Sequence, residues 1–125
     1  MAKVVTVEFL DRFAGAWNRH DTEAIVSMMT PDAVFLMSGG ATAEGRRVAG
    51  RDALVADISA FFKTMPDAQW RDATHFIAGD RGVTQWTFTA TRPDGSKVES
   101  KGCDVFTFRD ALIEVKDSYR KQPAY

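Results

Sequence analysis

A single cysteine, Cys103, rules out any disulfide within the chain and fits a reducing compartment. No stretch approaches the roughly 20 apolar residues that a membrane-spanning helix needs. The opening Met-Ala-Lys-Val-Val-Thr-Val-Glu lacks the apolar run of a secretion signal, so the expected location is the cytoplasm and no membrane partner is expected. Charge of neither sign dominates: 16 Lys and Arg against 17 Asp and Glu leave a formal net charge of −1. That offers no basic field for nucleic acid, and the one tight basic cluster, Arg46-Arg47, reads as a solvated loop. Two histidines and one cysteine in unrelated segments give no metal-ligand spacing. Neither a phosphate-cradling glycine loop nor a Gly-x-Ser-x-Gly elbow is present, and neither a metal nor an organic cofactor is expected.

What is there is ordinary globular material. The 125 residues, 45% of them apolar, suit a single domain over 1–125 with its own core. Val5, Phe9, Phe13, Ala16 and Trp17 fall at helical spacing behind a Thr6 N-cap. Asn18 to Asp21 breaks that helix. Asp21 or Thr22 caps a second, with Ile25, Met28 and Met29 as its apolar stripe, stopped at Thr30-Pro31-Asp32. Ala33–Met37 reads as a buried strand, the glycine-rich Ser38–Gly45 as a loop, and Arg46–Gly50 as a returning strand. A third helix runs from about Asp52, with Leu54, Ile58, Phe61, Phe62 and Met65 on one face, and ends at Pro66-Asp67.

Beyond Gln69 the period changes to two. Strands are expected over Gln69–Ala78, Val83–Arg92, Lys97–Arg109 and Leu112–Tyr119, joined by short Gly-, Pro- and Asp-bearing turns. Short turns between successive strands dictate an antiparallel meander. Helices first and strands after predict an α+β fold: a curved antiparallel sheet wrapped around the N-terminal helices, with a pocket between the layers. In Val83–Arg92 the second face, Gln85, Thr87, Thr89 and Thr91, is polar but uncharged, which suits a sheet-to-sheet contact in a homodimer.

The strand alternation yields one sharp feature. Asp104 shares its face with Phe106 and Phe108, and Asp117 shares its face with Ile113, Val115 and Tyr119. A carboxylate on an apolar face is costly unless it is neutral or paired, and a neutral carboxyl is what a general acid or an oxyanion donor requires. Either Asp could instead bind backbone amides at a strand end or be turned outward by a bulge. Asp117, flanked by Lys116, Ser118 and Arg120, is the more open to that. His75, between Ala73 and Ile77 on its face, is either a pocket acid–base group or a satisfied interior histidine. Cys103 alternates away from Asp104 and reads as a small packing residue. Trp17, Phe35, Met37, Phe61, Trp86 and Phe106 supply the apolar bulk to line a cavity.

The blocks FAGAWNRHDTEAIVSMMTPDAVF (13–35), VAGRDAL (48–54), FFKTMPDAQW (61–70) and GCDVFTFRDALIEVKDSYRK (102–121), in this order and spacing, resemble the nuclear transport factor 2-like superfamily, which includes ketosteroid isomerase and the SnoaL-like polyketide cyclases. The resemblance implies a cystatin-like cone with a pocket between sheet and helices, commonly in a homodimer. It places the isomerase's oxyanion aspartate on Asp104, its tyrosine on Phe13 and its base near Met37. Phe13 has no hydroxyl and Met37 takes no proton, so steroid isomerisation by that set is not expected. The cyclase histidine falls near Arg92 and the cyclase aspartate at Asp117 or Ser118.

Two functions stay open. One is acid–base catalysis on a small apolar carbonyl compound (isomerase, cyclase, dehydratase or hydrolase type), carried by Asp104, Asp117, Tyr119 and His75. The other is a non-catalytic module that binds a ligand or a partner.

Overall fold

The structure, a computed structural model, describes residues 4–122. The first helix, α1 (Val7–Asn18), starts at Thr6, whose hydroxyl accepts from the Phe9 amide at 3.1 Å. The second, α2 (Thr22–Ser27), starts at Asp21, whose carboxylate accepts from the Ala24 amide. Each cap satisfies an amide that the first helical turn leaves without a partner. The third helix, α3, spans Arg51–Thr64 behind Gly50, which takes φ 88°. All three turn apolar faces inward: Leu10, Phe13, Ala16 and Trp17 from α1, Ile25 and Val26 from α2, Leu54, Ile58 and Phe62 from α3.

Against them lies a curved, open sheet of six strands. The strands are β1 (Met29–Leu36), β2 (Arg47–Ala49), β3 (Gln69–Ala78), β4 (Arg81–Thr91), β5 (Lys97–Arg109) and β6 (Leu112–Arg120), in spatial order β2-β1-β6-β5-β4-β3. The meander β3 to β6 is antiparallel throughout, whereas β1 lies parallel to β6. The expected α+β architecture stands, with one boundary moved. The second helix ends at Ser27, so Met28 and Met29 are not its stripe, and β1 begins at Met29 and runs through Pro31. The proline is tolerated there because the β1–β6 register slips between Met29 and Val34, where no ladder donor is required of it.

The core lies between helices and sheet, where Phe106 and Phe108 of β5 and Ile113 of β6 meet the helical residues. Burying each such side chain contributes on the order of 1.5–3 kcal/mol. The turn from α1 to α2 is tied to the sheet by Asn18, which accepts from the Trp70 amide at 2.7 Å and donates to the Trp70 carbonyl at 3.0 Å. His20 adds a bond to the Ala68 carbonyl at 2.7 Å and stacks on Phe62. It is a structural clamp rather than the surface residue its position at the helix end suggests.

A bulge decides what the sheet presents to the core. Between Phe106 opposite Lys116 and Phe108 opposite Ile113, β6 carries one residue more than β5, so alternation inverts around Glu114. Arg109 of β5 pins this point, pairing with Glu114 and, at 2.5 Å, with Asp32 of β1. That bond holds the Asp32 carboxyl down to about 2. Beyond the bulge Lys116, Ser118 and Arg120 face inward, while Asp117 and Tyr119 face out.

Gly102 is the second local device. A Cβ there would lie 2.3 Å from the Tyr119 carbonyl oxygen and 2.7 Å from the Trp86 ring, so only glycine lets that ring lie across β5. Gly102→Ala is expected to cost about 1–3 kcal/mol by overpacking, read by urea denaturation, and to shift tryptophan emission as Trp86 moves. An unchanged midpoint and spectrum would contradict this packing.

Candidate active site

Asp104 and Lys116 are 5% and 4% exposed, and they meet on the inner face of the sheet. The Lys116 ammonium donates to Asp104 Oδ1 at 3.1 Å and to Ser118 Oγ at 3.0 Å. Ser118 donates to the same Oδ1 at 2.5 Å, and Trp86 Nε1 donates to Oδ2 at 3.0 Å. Asp104 is thus surrounded by donors, the arrangement that suits a carboxylate acceptor. The face that Phe106 and Phe108 make apolar thus carries a fixed cation as well, because the bulge brings Lys116 onto it. The ammonium also lies over the faces of Trp17, at 4.5 Å, and Phe35, at 4.2 Å, as a cation–π contact requires. Burial pushes Lys116 below its ordinary value, against the opposing pull of Asp104.

Two cavities adjoin this pair. The inner one, about 20 Å³, lies between α1 and the sheet and is lined by Phe13, Trp17, Thr84, Asp104, Phe106 and Lys116 among others; it has room for about one water. The outer one, about 270 Å³, lies among Trp17, Phe35, Phe61, Trp70, Trp86 and Phe88. Its polar groups are Lys116, Ser118 and Arg120 from β6 and Asp57 from α3, and exposed Ser38 and Gly39 form its rim. Asp57 is the one carboxylate on this wall among the described residues, and Arg46 holds it at 2.6 Å. Trp17 touches both cavities, and its buried Nε1–H has no acceptor among the described residues.

The sequence-derived candidates divide between these places. Trp17, Phe35, Met37, Phe61 and Trp86 line the outer cavity, whereas Phe106 lies behind it at the inner one. Asp104 is at the inner cavity, reaching the outer one through Lys116 and Ser118. His75 is interior, its Nδ1 2.8 Å from Thr84 Oγ1 and its Nε2 3.4 Å from Asp11; it lines neither cavity. Asp117 and Tyr119 stand on the outer face, bonded to each other at 3.0 Å, with Tyr119 54% exposed. Both line a broad open groove of about 1070 Å³ beside the 38–45 loop. Their hydrogen bond pushes the Tyr119 phenol above its ordinary value. Burial raises the Cys103 thiol on the same face, which disfavours the thiolate a nucleophile needs. Lys116, Arg120 and Asp57 were not singled out by the sequence, and Ser118 only as the alternative to Asp117 in the family resemblance; the bulge at Glu114 hides the three β6 residues behind a strand that otherwise alternates the other way.

The depressed lysine has a measurable consequence. Between its folded value and the ordinary 10.5, the unfolded chain binds more protons at this residue than the native one, so stability due to Lys116 rises with pH across that window. Native protein minus Lys116→Met, compared by urea denaturation, should show a stability difference that grows as the pH is raised towards 10.5. A flat or falling difference would contradict the lowering of Lys116 by burial.

No protein of curated function matches the sequence. Among solved structures, a candidate polyketide cyclase from Pseudomonas putida KT2440 is 14% identical with a TM-score of 0.82, covering 94% of this chain and 92% of that chain. A nuclear transport factor 2-like protein of unknown function from Mesorhizobium loti is 28% identical with a TM-score of 0.73, covering 92% and 89%. TerC, co-crystallised with polyporic acid, is 19% identical with a TM-score of 0.78, covering 92% and 90%. A protein from Xanthomonas campestris with the same fold is described as cystatin-like. The SnoaL-like domain profile matches residues 10–115, from within α1 to the residue before Lys116, and the chain belongs to the SnoaL-like domain family.

Proposed function

We propose that the outer cavity binds a small, largely apolar carbonyl compound and that the chain catalyses acid–base chemistry on it without a cofactor. The observation that carries this reading is Lys116: a buried ammonium, fixed by Asp104 and Ser118, on the wall of a cavity walled largely by aromatic rings. A preorganised donor in a dry site stabilises an oxyanion far better than water does, and losing such a donor costs on the order of 10²–10³ in rate. With a carbonyl oxygen at the remaining donor of Lys116, which Asp104 and Ser118 hold in place, a proton alpha to the carbonyl would be removed by Asp57 across the cavity. In this reading Asp104 is a positioning residue: it holds the ammonium and does not donate. The description of two neighbours, one as a candidate polyketide cyclase and one co-crystallised with polyporic acid, is consistent with a small organic ligand.

A second reading has its own support. Asp57 and Asp104 are each already paired with a cation, by Arg46 and Lys116, and an adjacent positive charge weakens a carboxylate as a base. On that ground the cavity would hold a ligand without turning it over.

Proton exchange separates the two. 2-Tetralone in deuterated buffer should take up deuterium at its alpha carbons faster with the protein than with buffer alone, followed by proton NMR. The enhancement should fall at least about 10²-fold in Lys116→Met, and it should be lost in Asp57→Asn. Saturable binding with exchange no faster than buffer would replace catalysis by the binding module.

The homodimer expectation becomes a proposal on the outer face of the sheet. Phe76, Val83, Val105 and Cys103 lie there beside the uncharged Gln85 and Thr87, with Phe76 56% exposed. An apolar strip of this kind suits a sheet-to-sheet contact. Light scattering at micromolar concentration should give twice the 13.9 kDa chain mass; a monomer mass would refute it.

A further inference from the structure

Arg120 has no task in the chemistry proposed above. It is half-buried on the wall of the outer cavity, yet among the described residues its guanidinium meets no hydrogen-bond acceptor and no carboxylate within ion-pair distance. The other arginines without such partners, Arg12, Arg19, Arg47 and Arg51, are exposed and solvated. Phe88 lies beneath the guanidinium, 4.9 Å from ring centre to its carbon, which fixes the plane of its donors.

The charges around it do not balance. Lys116, Arg120 and Asp57 face the cavity, and Asp57 is committed to Arg46 while Asp104, behind the wall, is committed to Lys116. Among the described residues one positive charge is left over, and it is on Arg120. Burial and the nearby Arg92 both push its guanidinium below the ordinary value, the mark of a cation short of an anion.

We infer that Arg120 anchors a carboxylate carried by the small molecule that this cavity takes, so that the ligand class is an apolar, aromatic-bodied acid. A guanidinium fork matches a carboxylate with two parallel hydrogen bonds. Strand geometry sets Lys116 and Arg120 on one face about 13 Å apart along β6 at Cα level, so the two cations address different ends of one ligand. The carboxylate lies at Arg120, the apolar body lies in the cage formed by the rings of Trp17, Phe61, Trp70, Trp86 and Phe88, and a keto or enol oxygen reaches Lys116. This inference rests on the reading of the cavity as a ligand site.

All three tryptophans of the chain line the cavity, so their fluorescence reports occupancy. The test is a titration with trans-cinnamate and with its neutral isostere cinnamamide at pH 7 and constant ionic strength. Cinnamate should bind at least ten-fold more tightly than the amide. The preference should shrink to within about two-fold in Arg120→Gln and survive in Arg92→Gln, which removes a nearby charge outside the cavity wall. Equal affinities in the native protein, or a preference that Arg120→Gln leaves intact, would overturn the assignment of the anion to Arg120 while leaving the cavity a ligand site. Absence of saturable binding by both compounds would overturn the assignment and the ligand site together.

Discussion

An ammonium and a carboxylate held almost entirely out of water set the terms for the rest of this molecule. Removing either ion from water costs several kcal/mol even after relaxation, so the pair persists only where every group around it contributes. Ser118 and Trp86 complete the bonding of Asp104, and the faces of Trp17 and Phe35 cover Lys116. These partners come from α1, β1, β4 and β6, while Asp104 itself comes from β5. One interaction therefore ties the helical layer to four strands. It also requires two departures from regular structure: the bulge that turns Lys116 inward and the glycine that lets Trp86 reach Asp104.

Much of the fold is legible in the amino-acid sequence, because local chemistry and tertiary structure agree there. Thr6 and Asp21 cap helices as their side chains predict, the Asp110-Ala111 pair turns β5 into β6, and Trp86, Phe88 and Ala90 all face inward. Asp104 is legible as an interior carboxylate because Phe106 and Phe108 share its face and β5 keeps its alternation up to that point. The site fails to be legible where alternation fails. A one-residue bulge exchanges the two faces of a strand, so Asp117 and Tyr119 look interior and Lys116, Ser118 and Arg120 look exposed until the bulge is seen. In the structure it shows as the three-residue spacing of Ile113 and Lys116, the buried residues of β6. Pro31 misleads similarly: it stops a helix, but it sits inside β1 rather than before it.

The functional reading follows from how charge is distributed around the aromatic cage. Lys116 is oriented from behind by Asp104 and presents its remaining capacity to the cavity, Asp57 faces it from α3, and Arg120 lines the same wall without a counter-charge among the described residues. Membership of the SnoaL-like family accounts for the cone and for a cavity between its layers. It does not account for these side chains, since Lys116, Ser118 and Arg120 fall beyond the matched residues and one fold hosts many chemistries. A ligand is therefore to be sought through the chemistry proposed for this wall, an oxygen for an ammonium and an anion for a guanidinium, rather than through any neighbour of the same shape.

The pair itself is tested most directly by a double-mutant cycle on stability, with Asp104→Asn, Lys116→Met and the two combined, each unfolded in urea at pH 7. Because a single substitution strands a buried charge, each alone should cost about 3–5 kcal/mol, whereas the combination removes both charges and should cost far less than the sum. Additivity within about 0.5 kcal/mol would mean that Asp104 and Lys116 do not depend on one another, and would contradict the account.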